Sequence, residues 1–212
     1  MLTHWGYPTI RKTILVSLLI SGITAFIAES LLTVALLLCI AMLSFTLYFF
    51  RDPERVPPVE SGCIIAPADG RVLLVQPAES DFTGPSSMLV SIFMSPFNVH
   101  INRIPLDGTV TSLHYHPGMF MMAFDHRSLE SNEKMEIGIT GEKIKLLFYQ
   151  VSGFLARRIV CELQEGDAVR QGNRFGMIRF GSRVDIMLPA HAVISVRPGE
   201  RTRAGETVIA RY

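Results

Sequence analysis

Between Lys12 and Arg51 the chain runs for 38 residues with a single charge, Glu29. A segment so poor in polar groups folds only where water is excluded, in a large core or in a bilayer. Residues 13–28 form an uncharged run of 16 and residues 31–50 a second run of 20. At about 1.5 Å per residue these reach roughly 24 and 30 Å as helices. The second spans a hydrocarbon layer alone. The first is short, so it thins the bilayer, draws on Ile10 and its flanks, or forms half of a re-entrant hairpin. Ala28-Glu29-Ser30 is the available turn, with Glu29 as its hydrated tip. Arg11 and Lys12 precede the first run while Arg51 and Arg55 follow the second, which predicts a transmembrane helical hairpin with both ends on the cytoplasmic face. A cleaved signal peptide would share the basic-then-apolar opening, but the longer apolar run that follows would remain as an anchor.

The remaining 162 residues carry 18 basic and 18 acidic side chains. That balance argues against a nucleic-acid partner, which would call for an excess of Lys and Arg. Cys39, Cys63 and Cys161 are odd in number and contain no Cys-x-x-Cys pair, so neither a disulfide framework nor a metal site is expected. Residues 51–59, broken by Pro53, Pro57 and Pro58, read as a juxtamembrane linker. Beyond it, short apolar runs at 63–66, 72–75, 88–93, 108–113, 143–151, 159–163, 176–180, 184–188 and 192–196 have strand length and no sustained helical period. Only 121–130 reads as a helical turn or mobile loop. The expected class is mainly β, a single domain over 60–212 behind an anchor over 1–50.

An internal echo refines the class. Glu165-Gly166-Asp167 with Gly172 recurs as Pro198-Gly199-Glu200 with Gly205, each followed by a short apolar strand. A turn with an acidic second residue and a closing glycine is what barrel-sandwich-hybrid carrier domains use. The carrier function itself fails, because no lysine follows Lys145.

Three sites carry possible chemistry, each with a plainer alternative. Gly181-Ser182 reads equally as a two-residue hairpin turn, Asp69-Gly70 as a turn before a strand, and His100 as a core histidine. Taken together with Phe49-Phe50-Arg51-Asp52-Pro53, Ala66-Pro67-Ala68-Asp69-Gly70, Ser95-Pro96-Phe97-Asn98-Val99-His100, Tyr115-His116-Pro117-Gly118, Asn132-Glu133 and Phe180-Gly181-Ser182, the chain resembles the pyruvoyl-dependent phosphatidylserine decarboxylases in their short, membrane-anchored form. The resemblance runs from about Phe49 to Tyr212.

The resemblance implies a proenzyme whose Ser182 hydroxyl attacks the Gly181 carbonyl and ends as a covalent pyruvoyl group on a new chain. It implies Asp69 as an orienting carboxylate, His100 as the catalytic histidine, and decarboxylation of a serine phospholipid through a Schiff base. The partners implied are the membrane lipid and a heterodimer of the two cleavage products. One departure matters: many relatives carry two histidines three apart before a proline, whereas this chain reads His100 and Arg103. Either His100 serves both reactions or another histidine contributes, with His114 and His116 nearest in sequence. Arg103 is expected to meet a phosphate or carboxylate, or else to be a solvated strand residue; His116 is a second candidate for substrate contact. A different class remains open, a non-enzymatic membrane adaptor presenting the β domain, which would need none of these residues.

Overall fold

A computed structural model of the chain describes residues 1–27, 29–119, 132–153, 159–179 and 182–212. The turn or loop expected at 121–130, Ala28 of the expected hairpin tip, and Gly181 lie outside the described residues. The chain divides into two compact units, Met1–Glu54 and Arg55–Tyr212.

In the first unit, α1 (Tyr7–Ile27) and α2 (Glu29–Phe49) are each 21 residues long. The first helix begins at Tyr7, ahead of its uncharged run, and takes in Arg11 and Lys12; Glu29 and Ser30, expected in the turn, instead open α2. The helices form a hairpin whose open end is closed by backbone bonds: Thr3 N–H donates to Phe50 O at 3.0 Å and Asp52 N–H to Met1 O at 2.8 Å. The Phe49 and Phe50 rings, both buried, meet edge to face at 5.0 Å. Gly6 lies so close under the Phe50 ring that a Cβ there would overlap it. Along the rest of the hairpin large apolar side chains such as Leu18 and Leu38 are exposed. Both helices are long and apolar enough to cross a membrane, which is compatible with membrane association.

The second unit is mainly β, as the sequence predicts. Its strands are β1 (Cys63–Ile65), β2 (Gly70–Ser80), β3 (Gly84–Met94), β4 (Ile101–Arg103), β5 (Gly108–His116), β6 (Lys134–Thr140), β7 (Lys145–Val151), β8 (Ile159–Cys161), β9 (Ala168–Val169), β10 (Arg174–Ile178), β11 (Ser182–Leu188), β12 (Val193–Ile194), β13 (Arg201–Thr202) and β14 (Val208–Arg211). An eight-stranded curled sheet has the order β13-β2-β3-β11-β7-β6-β5-β9, and two three-stranded sheets have the orders β1-β14-β12 and β4-β10-β8. One apolar cluster draws on all three sheets, with Ile64 and Ile209 from the first small sheet, Phe175 and Ile178 from the second, and Val90, Ile92, Phe148, Val184 and Ile186 from the large one.

The strand orders are symmetric about the β11–β7 pair, so the domain is two copies of one unit. β1, β2, β3 and β11 to β14 form one half; β4 to β10 form the other, inserted between β3 and β11. The echo found in the sequence is one mark of this. Gly166 and Gly199 have φ of 93° and 92°, and the closing Gly172 and Gly205 have φ of 82° and 80°, left-handed conformations that glycine alone adopts without cost. Their bonds match: Gly166 N–H to Val110 O and Gly199 N–H to Val72 O, both 2.8 Å. A second mark is Pro67-Ala68-Asp69-Gly70, equivalent to Pro105-Leu106-Asp107-Gly108. At Gly70 a side chain would run into Phe93 O, and at Gly108 into Thr140 O, so neither strand pair closes around anything larger.

One sequence reading is corrected. Runs 176–180 and 184–188 are not hairpin partners: β10 pairs with β4 and β8, while β11 pairs with β3 and β7. Ser182 is therefore the first residue of a central strand rather than part of a two-residue turn.

Candidate active site

Ser182 opens β11 directly opposite Met94, the last residue of β3. It is completely buried, and it faces the core because it shares a strand face with Val184 and Ile186. Its hydroxyl donates to Met94 Sδ at 3.3 Å. The same sulfur accepts from Asn102 Nδ2 at 3.9 Å, and that amide also reaches Pro67 O at 3.4 Å. Asn102 Oδ1 in turn accepts from Gln150 Nε2 at 2.9 Å. Asn102 and Gln150 are fully buried, where an unmade hydrogen bond would be costly. Through Asn102 and Met94 three separate sequence motifs, 66–70, 95–103 and 180–182, converge on one interior point.

His100 is also completely buried, at the entrance to β4. It hangs from the turn that follows β3, where Asn98 Oδ1 accepts from both Ser95 N–H and Ser95 Oγ at 2.8 Å. His100 Nδ1 lies 2.9 Å from Asn98 O. A carbonyl can only accept, so Nδ1 carries the proton and Nε2 holds the lone pair of the neutral ring. The turn thereby fixes which nitrogen can act as a base.

Asp69 is buried, with two kinds of partner. Its Oδ1 accepts from Ala204 N–H at 2.8 Å, and its Oδ2 pairs with Arg55 at 3.0 Å. The first bond is a feature of the duplicated fold, since Asp107 Oδ1 accepts in the same way from Gln171 N–H at 2.6 Å. The second belongs to this half: Arg55 also holds Glu206 at 3.0 Å. Arg103 is buried on β4 at 4% exposure and its Nη1 donates to Gly172 O at 2.8 Å. It is thus no solvated strand residue, and that bond places its guanidinium on the closing turn of the other strand pair's echo. His116, half exposed at the end of β5, meets Glu136 Oε2 at 3.2 Å. His114 stands opposite Glu136 on the same strand pair.

Several residues that the sequence reading did not single out frame Ser182. Arg183 and Asp185 follow it on the opposite face of β11, with Arg183 Nε 2.7 Å from Asp185 Oδ1 and both groups buried. Burial pushes the Asp185 carboxyl up, against the pull of Arg183 and of the Ser91 hydroxyl. Removing one member of such a pair costs about 3–5 kcal/mol, so it fixes the strand that begins at Ser182. Tyr149 stands opposite Asp185 on β7, its phenol held well above the usual value by burial and then by the Glu136 and Asp185 carboxylates. On that flank Asn132 Nδ2 donates to Ser152 O at 2.8 Å, and the Tyr115 hydroxyl donates to Glu133 Oε1 at 2.9 Å. These bonds join the Tyr115-His116-Pro117-Gly118 and Asn132-Glu133 motifs beside β7. Asn102 and Gln150 show in the sequence only as polar residues within apolar stretches, and Met94 only as one more apolar residue. Among the described residues no group of three or more His, Cys, Asp or Glu side chains is arranged to hold a metal ion.

The family model for phosphatidylserine decarboxylase matches residues 42–210. The chain is 65% identical over 212 residues to the phosphatidylserine decarboxylase proenzyme of Chlorobium limicola, covering all of both chains. It is 59% identical over 213 positions to the protein of the same name from Pelodictyon phaeoclathratiforme, again with full coverage of both. To the Chlorobaculum tepidum proenzyme it is 51% identical over 205 residues, which are 97% of this chain and 95% of that one. With identity at this level running through the hairpin as well as the β domain, the chain belongs to the phosphatidylserine decarboxylase family.

Proposed function

We propose that this decarboxylase acts on phosphatidylserine, and that it is a proenzyme which matures by cutting itself between Gly181 and Ser182. The family and the full-length relatives make it an enzyme, which sets the adaptor reading aside. The observation that carries the reading to particular residues is the convergence on Asn102 and Met94, which sets the Ser182 hydroxyl in the same buried network as the strand that His100 leads into and the loop of Asp69.

In the proposed maturation the Ser182 hydroxyl attacks the Gly181 carbonyl and His100 Nε2 takes its proton. The peptide C–N bond breaks, an ester to Ser182 Oγ forms, and the amine of residue 182 is freed. Loss of the Cα proton then expels the Gly181 carboxylate and leaves a double bond between Cα and Cβ of residue 182. Water replaces the nitrogen, ammonia departs, and a pyruvoyl group caps the chain 182–212. When present, that ketone supplies the electron sink for the charge left as carbon dioxide leaves the lipid serine. His100 would hold the proton to be returned to that carbon. Arg103 we assign to positioning, because its guanidinium is bonded to a turn; His116, paired with Glu136, is left as a candidate headgroup contact.

The products would stay together as a heterodimer. β11 is bonded on both sides, to β3 and β7, and β14 lies between β1 and β12, so the chain 182–212 is woven into two sheets. The test is an intact mass of the purified protein. Two masses for 1–181 and 182–212 are expected, the smaller short of its encoded value by the conversion of serine to pyruvoyl. A single encoded mass in a preparation that decarboxylates phosphatidylserine would sink the proposal.

We further propose residues 1–50 as a membrane anchor, 51–59 as its linker and 60–212 as a decarboxylase domain on the cytoplasmic side. The closed end of the hairpin and the basic residues beyond both apolar runs support this. Topology reporters fused ahead of Met1 and after Tyr212 should both report the cytoplasm. Opposite reports would mean a single crossing and a different compartment for the chemistry.

A further inference from the structure

Arg71 on β2 and Arg201 on β13 are directly opposed in the strand register. Like charges so placed repel, and a sheet ordinarily avoids the pairing. Both side chains are exposed, and among the described residues neither makes an ion pair. The fold does not require them. In the equivalent strand pair of the other half the same two positions, on β5 and β9, are Thr109 and Ala168. The cationic pair is thus particular to the half that carries Asp69 and Ser182.

The two arginines line a cleft of about 580 Å³. Arg203, 73% exposed and no nearer than 3.9 Å to Glu206, adds a third guanidinium. Asp69 also lines the cleft, as do Ser95 and Asn98 of the turn from which His100 hangs. Its one lining carboxylate, Asp69, is already paired with Arg55, so the cleft keeps its positive field. Phe93, in the same wall, pairs with both Arg71 and Arg183. The wall therefore stands one residue along the sheet from Ser182 and on its opposite face, the face of Arg183.

We propose that Arg71 and Arg201 clamp the phosphodiester of the serine phospholipid, with Arg203 at the rim, so that the serine end reaches around the end of β3 toward residue 182. The proposal rests on the assignment of Ser182 as the reacting residue. Guanidinium forks bind phosphate oxygens by paired, charge-assisted bonds, and a phosphate between Arg71 and Arg201 removes their repulsion. A headgroup and a free phosphate share this chemistry, so the experiment separates them.

The full chain in detergent is compared with Arg71→Thr, Arg201→Ala and the double variant, the residues that the equivalent strands carry. Substrate is a dihexanoyl phosphatidylserine kept below its micelle concentration, so no bilayer is involved. Each single change should raise KM about tenfold, the double change more, with a smaller effect on kcat. Lysine at both positions should restore part of the loss. Glycerophosphoserine is also titrated into the Ser182→Ala chain, where no turnover is possible. It should bind more tightly than inorganic phosphate, and the double variant should lose the difference. An unchanged KM for the soluble lipid overturns the proposal, as does a defect seen only on vesicles, which would place the arginines against a membrane surface. Equal binding of inorganic phosphate and glycerophosphoserine overturns the headgroup assignment. Chain splitting on a denaturing gel reports the Ser182 assignment separately, because failure to split bears on that residue and not on the clamp.

Discussion

Ser182→Ala is expected to leave the purified protein as a single chain of 212 residues with no decarboxylase activity. The substitution removes the nucleophile and, with it, the atoms that become the ketone. The variant should fold, because the lost group is one hydroxyl whose acceptor is a thioether, among the weakest acceptors in a protein. The seven residues of β11 are otherwise unchanged, and all of them are buried. Denaturing electrophoresis and carbon dioxide release from phosphatidylserine are the two readouts. Normal splitting in this variant would show that the cut lies elsewhere, and retained activity would show that no group derived from residue 182 is needed.

His100→Ala should slow both splitting and turnover. Loss of a general base typically costs about 10²- to 10⁴-fold, enough for uncut chain to accumulate over hours. The expectation of a single imidazole for two reactions rests on the resemblance, in which Arg103 departs from a paired-histidine motif, and on the turn that leaves His100 Nε2 as the nitrogen able to act as a base. Complete splitting without decarboxylation would assign the proton transfer in maturation to another residue. A paired comparison tests Asp69 against its scaffold role. Asp69→Asn and Asp107→Asn each keep an oxygen for the turn N–H of Ala204 or Gln171, but only the first removes a charge held by Arg55. Slower splitting is expected in Asp69→Asn alone. Equal effects in both would reduce Asp69 to a brace of the fold.

The parts of the protein whose cause is local are readable along the chain. Uncharged runs of 16 and 20 residues are too long for strands and read as helices out of water, so two apolar helices were legible from residues 13–50, although Glu29 and Ser30 belong to α2 and not to the turn. Alternating short apolar runs and glycine turns pointed to a mainly β domain, and all nine runs read as strands contain strand residues. A turn position with positive φ favours glycine over every other residue, so the Gly166/Gly172 and Gly199/Gly205 echo is readable along the chain itself. Other strands have no apolar run of their own to mark them: β9 and β13 are two residues long, and in β6, Lys134–Thr140, Met135, Ile137 and Ile139 alternate with polar residues and glycine.

The tertiary structure alone decided what depends on pairing between distant strands. The duplication has one half inserted in the other, so its equivalent strands are far apart in sequence, and only sheet order reveals them. The place of Ser182 was undecidable locally, because Gly-Ser suits a hairpin turn as well as the start of a strand; the registers of β3 and β7, which set Met94 opposite Ser182 and Val151 opposite Arg183, decide for the strand. The fate of Arg103 was equally non-local. An arginine on a short strand looks solvated until the turn at Gly172 is folded against it. The opposition of Arg71 and Arg201 is likewise invisible along the chain, since a charge repels its neighbour in space and the sequence records only its neighbour in order.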